Sequence, residues 1–126
     1  MEINRPEIVA EVQAMFARYE RALMGNDVEE LVRLFWDSPL TLRYGVAEEL
    51  HGIAAIAAFR AARPSALPGR VLEQTEICTY GHDFATANTL FLRTNSTRLG
   101  RQSQTWVRLH DGWRIVAAHV SLNGAP

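Results

Sequence analysis

The chain has 126 residues, 13 cationic side chains against 14 anionic ones, a formal net charge of -1 and a 48% hydrophobic composition. That length suits one domain and that apolar fraction supports a packed core, which excludes a disordered chain. All 13 basic residues are arginine, so Schiff-base catalysis, a pyridoxal-phosphate anchor and the lysine of a nucleotide-binding P-loop are excluded.

Near-neutral charge without a basic run gives no footprint for nucleic acid. Cys78 is the sole cysteine, so there is neither a disulfide framework nor a CxxC metal clip. The opening MEINRPEIVAEV has no apolar signal core, and no run approaches the roughly 18–20 apolar residues of a membrane span. A cytoplasmic protein that contacts no membrane is expected.

In chain order, Asn4 and Glu7 form a capping-box-like helix start, with Pro6 tolerated in the first turn. Ile8, Val12, Met15/Phe16, Tyr19 and Leu23 recur at helical spacing, and Gly25-Asn26 ends the helix. Asp27 with Glu30 begins a short helix through Val28, Leu31, Val32, Leu34 and Phe35, which Asp37-Ser38-Pro39 stops. Leu40 to Tyr44 reads as a strand, with a loop from Gly45. A third helix runs from Ile53 to about Ala62, packed through Ile53, Ile56 and Phe59, and Pro64 and Pro68 break it.

The apolar period then changes to two, over strands 70–80, 85–94, 101–109 and 113–122. Asp111-Gly112 is a strong hairpin signal between the last two. The expected fold is α+β, with a curved, mainly antiparallel sheet wrapped around the long N-terminal helix in one domain over 1–126. Its pocket is expected between the concave sheet face and that helix.

The final hairpin carries candidate chemistry. A two-residue Asp111-Gly112 turn pairs Trp106 with Ala117 and Gln104 with His119, so that Gln104, Trp106, His119 and Ser121 share a face. A three-residue turn with a bulge divides that cluster. His119, in the apolar run IVAAHV, is either a core histidine with one hydrogen bond or a cavity-lining donor. Trp106 reads as core, whereas an interior Gln104 needs a partner. Arg43 lies mid-strand between Leu42 and Tyr44, either on the exposed face of an edge strand or as a carboxylate clamp in the pocket.

Tyr19 falls on the apolar stripe of the first helix. Arg60 and Arg63 sit near a helix C-terminus, where they complement the dipole. Glu48 and Glu49 read as a solvated loop, and Asp27, Asp37, Asp83 and Asp111 all fall at caps or turns. No interior carboxylate of the isomerase type is therefore expected. The histidines at 51, 82, 110 and 119 lack metal-ligand spacing, and GxSxG is absent.

Helix-helix-strand-helix followed by long strands ending in Asp111-Gly112-Trp113-Arg114-Ile115-Val116 and His119-Val120-Ser121 resembles the nuclear-transport-factor-2-like superfamily, also called SnoaL-like or ketosteroid-isomerase-like. Further stretches resemble one branch of it, the AtzH-like family, which includes the oxalurate-catabolism HpxZ proteins. They are Leu42-Arg43-Tyr44-Gly45, Phe59 to Pro64, Phe84 to Thr89 and Gly100 to Trp106, and the similarity spans nearly the whole chain.

The resemblance implies a cone-shaped barrel, dimeric through its outer sheet face, with a pocket at the open end. It also implies cofactor-free decarboxylation of 1,3-dicarboxyurea to allophanate in cyanuric acid breakdown, with Tyr19 and Arg43 as the catalytic residues. An N-carboxylate loses CO₂ once its nitrogen is protonated, so the site needs a cation and a proton donor. Arg43 and Tyr19 are candidates for those roles, with Gln104, Trp106 and His119 as further substrate contacts. The alternative is a non-enzymatic ureido-acid-binding accessory protein for an amidohydrolase in an oxalurate-type pathway. No metal or cofactor is called for, and the expected partner is a small anionic ureido compound.

Overall fold

The computed structural model describes residues 1–63 and 68–124; the expected helix breaker Pro64 lies outside the described residues. The elements are α1 (Pro6–Met24), α2 (Val28–Arg33), β1 (Leu42–Tyr44), β2 (Glu49–His51), α3 (Ile53–Ala62), β3 (Arg70–Tyr80), β4 (Phe84–Arg93), β5 (Gly100–Leu109) and β6 (Gly112–Leu122). Strand β2 occupies part of the stretch that reads as a solvated loop. The strands form one mixed sheet in the order β2-β1-β6-β5-β4-β3. Only the β1–β6 pairing is parallel; the others are antiparallel, so β3 to β6 make the expected meander.

The apolar stripe of α1 explains how the sheet and helix meet. Ile8, Val12, Phe16, Tyr19 and Ala22 are buried along it, a spacing that keeps them on one face of a 3.6-residue helix. They pack with Leu31, Leu34, Phe35 and Ile56, and with Ala85, Ala87, Trp106, Trp113 and Ile115 from the sheet. Asn4 does not cap α1, whose N-cap Arg5 makes no side-chain cap bond. Instead the Asn4 side-chain oxygen accepts from the Thr79 amide at 2.8 Å, while the Asn4 amide donates to the Thr79 carbonyl at 2.9 Å. Those two bonds tie the start of the helix to β3. Asp27 does cap α2, accepting from the Glu30 amide at 3.2 Å. No helix among the described residues is long and apolar enough to cross a membrane.

The β5–β6 hairpin corrects the sequence reading. Leu109 pairs with Gly112, so the turn residues are His110-Asp111 rather than Asp111-Gly112. Gly112 takes φ 113 at the end of that turn, a conformation open to glycine and strained for other residues. Trp106 pairs with Ile115 but Thr105 with Ala117, which leaves Val116 as an extra residue on β6. One inserted residue reverses which side chains face inward. Trp113 and Ile115 point into the core before the bulge, and Ala118 and Val120 after it. Gln104 therefore pairs with Ala118, and His119 is exposed on the outer face opposite Ser103.

A glycine governs the other end of the same sheet. Gly100 pairs with Phe91, and a Cβ at Gly100 would fall 2.1 Å from the ring of that fully buried phenylalanine. Gly100→Ala is therefore expected to lower stability by about 1–3 kcal/mol through overpacking, read as an earlier midpoint in urea unfolding. An unchanged midpoint contradicts the packing argument.

Candidate functional site

Near the C-terminal end of α1 the sheet and α3 diverge around a cavity of about 200 Å³. Tyr19, Leu23, Arg43, Glu48, Arg60, Arg63, Arg70, Arg93, Gln102 and Val120 all contribute to its wall. Five of these are arginines. A second hollow of about 320 Å³ shares Leu23, Arg63, Arg70 and Arg93 with it and continues outward to Asn95 and Ser96.

Arg43 reaches the cavity because β1 is an interior strand, flanked by β2 and β6. Alternation turns Leu42 and Tyr44 to the outer face and Arg43 inward, where it is 8% exposed. Its Nη1 donates to Glu48 at 2.8 Å, so Glu48 is a cavity carboxylate rather than a solvated loop residue.

Arg60 is the residue that sequence reasoning undervalued. It is 3% exposed and lies one turn beyond the buried Ile56, on the inward stripe of α3. Its Nη2 donates to the Tyr19 hydroxyl at 2.9 Å. Tyr19 is also buried, with its ring edge-on to Phe35. A guanidinium has only donors, so Tyr19 accepts from Arg60 and keeps its own hydroxyl hydrogen for another partner.

The aromatic rings explain how so many cations gather. Arg43, Arg60 and Arg63 lie 5.2, 5.8 and 5.1 Å from the centroid of Phe59. Arg70 and Arg93 lie 4.6 and 5.2 Å from that of Phe91. Ring faces carry partial negative charge and hold guanidinium planes without neutralising them. Arg70 is paired further, with bonds of 2.8 and 2.6 Å to the Glu20 carboxylate and one of 2.9 Å to the Gln102 side-chain oxygen. That last bond fixes the Gln102 amide with its NH₂ group unpartnered.

Among the described residues, Arg60, Arg63 and Arg93 have no carboxylate at ion-pair distance, while Arg43 and Arg70 are paired with Glu48 and Glu20. Three buried donors on the cavity wall also lack a partner: Arg43 Nε, Arg60 Nε and Gln102 Nε2. Burial pulls the Arg60 guanidinium below the usual arginine range; Tyr19 opposes that shift, and the charges of Arg43 and Arg63 add to it. Arg93 is lowered in the same way, by burial and then by repulsion from Arg70, Arg63 and Arg43. Uncompensated positive charge beside unused donors gives this wall the chemistry to hold oxygen atoms of an anion.

Of the residues predicted from sequence, Tyr19 and Arg43 lie on this wall. Gln104 and Trp106 do not. They are buried together in the core, where the indole Nε1 donates to the Gln104 side-chain oxygen at 3.1 Å. His119 is removed from the cavity altogether by the β6 bulge, and stacks edge-on with Tyr44 on the outer face. Gln102 was legible in principle, since it shares a face with Gln104 by simple alternation.

The fold and cavity define a nuclear-transport-factor-2-like protein. A Salmonella enterica protein of that superfamily, 25% identical, matches with a TM-score of 0.75 over 94% of this chain and 93% of its own. The chain belongs to the AtzH-like family, whose profile matches residues 1–125. A Pectobacterium atrosepticum protein of the DUF3225 family, described as of unknown function, is 57% identical, with a TM-score of 0.95 over 97% of this chain and 95% of that one. A cystatin-like fold protein from Burkholderia xenovorans is 52% identical, with a TM-score of 0.95 over 100% and 99%. No curated protein matches the chain.

Proposed function

We propose that the protein is a cofactor-independent decarboxylase of a small dicarboxylated urea, converting 1,3-dicarboxyurea to allophanate. One observation carries this reading: a cavity with three guanidinium groups that, among the described residues, have no carboxylate partner, and with three unpartnered donors, opens beside a buried tyrosine hydroxyl. A dicarboxylate supplies the missing charge, and its carbonyl and second carboxylate supply acceptors.

The chemistry asks little more of the chain. Arg43 and its neighbours hold the carboxylates. Tyr19 donates a proton to the nitrogen as the bond between that nitrogen and the carboxylate carbon breaks, with the electron pair passing to nitrogen and CO₂ leaving. Arg60 stabilises the charge left on the phenolic oxygen until water returns the proton. Family membership supports the substrate class.

The test uses ¹³C-labelled 1,3-dicarboxyurea from a cold alkaline stock, followed by NMR at neutral pH. Labelled CO₂ and allophanate are expected to form faster than in buffer alone. Saturable binding with only the uncatalysed rate replaces this reading with that of an accessory ureido-acid-binding protein.

A further inference from the structure

The loop between β1 and β2 places a carboxylate of the protein itself where an incoming one would go. Gly45 and Glu48 close a tight turn, the Gly45 amide donating to the Glu48 carbonyl at 2.8 Å. The Glu48 side chain folds back over that turn, accepting from the Ala47 amide at 3.2 Å through one oxygen and from Arg43 at 2.8 Å through the other. It can do so only because residue 45 has no side chain: a Cβ there would sit 1.6 Å from the Glu48 carboxylate oxygen. Gly45 is not in the left-handed region, so backbone freedom does not explain this glycine. Space for the carboxylate does.

The contact uses one nitrogen of the guanidinium, and Arg43 Nε stays buried without a partner. The Glu48 side chain is 23% exposed, against 9% for Arg43, and Val46 beside it is half exposed at 50%. The carboxylate can therefore leave toward solvent, whereas the guanidinium cannot.

We infer that Glu48 is a tethered stand-in for a substrate carboxylate, which makes the pocket selective for dianions over monoanions. This rests on the dicarboxylate reading of the cavity and goes beyond it by assigning the selectivity to a residue. A group tethered beside its site competes at an effective concentration of roughly millimolar or more. A free monocarboxylate gains nothing by evicting Glu48, since it only exchanges one carboxylate on Arg43 for another. A dianion has a second foothold on the uncompensated guanidinium groups of Arg60 and Arg93, and this offsets the displacement.

Two variants open Arg43 to different degrees. Glu48→Gln removes the charge and keeps the shape of the side chain. Glu48→Ala removes the side chain as well and empties its place beside the guanidinium. The probes are glutarate, in which methylenes replace the central N–C–N unit of 1,3-dicarboxyurea, and butyrate, which has the same chain with one carboxylate fewer. By isothermal titration the wild-type protein is expected to prefer glutarate. Both variants are expected to bind butyrate about tenfold more tightly, with a smaller change for glutarate, so that the preference collapses.

A preference retained in both variants, or weaker butyrate binding in either, overturns the role of Glu48 and makes it a strut that positions Arg43. Wild-type protein that does not prefer glutarate overturns the dicarboxylate reading itself, and the inference with it.

Discussion

Replacing Arg43 by alanine is expected to lower kcat/KM for 1,3-dicarboxyurea by about a hundred- to a thousandfold, the range seen when one donor to a charged reacting group is removed. The single variant carries a complication that the structure identifies. Arg43 is the ion-pair partner of Glu48, so its removal leaves that partly buried carboxylate with the Ala47 amide but no cation paired to it. Part of any loss would then be structural, at about 1–2 kcal/mol of stability for a partly exposed pair.

The double variant Arg43→Ala/Glu48→Ala separates the two effects. Its urea midpoint should recover toward the wild-type value while turnover stays low. Arg43→Lys is expected to restore little, because an ammonium on a flexible stem cannot reproduce a planar fork held over Phe59. Turnover at the wild-type rate in the double variant removes Arg43 from the chemistry.

Most of the fold was legible because its elements are long and periodic. The inward stripe of α1, the Asp27 cap of α2, α3 and the four-stranded meander follow from spacing alone. The errors arise where one residue changes the phase of a pattern. Alternation through IVAAHV assigns faces correctly only when no residue is inserted, and Val116 is the inserted one. No composition signal marks that bulge, so the sequence could not choose between a register that groups His119 with Gln104 and Trp106 and one that divides them. The short β2 strand has three residues, too few for a period to register.

The candidate site was legible at Tyr19 and Arg43, through resemblance more than through pattern. For Arg43, sequence could not decide between an edge strand and an interior one, and that single topological fact sets the direction of its side chain. Arg60 had a signal of its own. It follows Ile56 by four residues on an otherwise apolar helix, which places a charge on the buried stripe. Read as a helix-end charge, it lost that meaning. Arg70 and Arg93 come from strands whose sequence neighbours are unremarkable, and only closure of the sheet around α1 gathers them at one cavity.

Arg60 and Tyr19 together give the second large expected effect. Tyr19→Phe removes the hydroxyl alone and is expected to lower kcat by about a hundred- to ten-thousandfold, the usual contribution of a positioned proton donor. KM should change little, because the ring still packs on Phe35 and the carboxylate grip is untouched. Arg60→Met keeps the packing of α3 and removes both the bond to Tyr19 and the unpartnered Nε on the cavity wall. It is expected to lower kcat less than Tyr19→Phe does and to raise KM. If Arg60 acts on the proton through Tyr19 and on the substrate through Nε, the double variant should show the kcat of Tyr19→Phe with the KM of Arg60→Met, since effects on kcat within one unit do not add. A double variant with kcat well below that of Tyr19→Phe contradicts this: Arg60 would then act on the reacting group by a route that does not pass through the phenol.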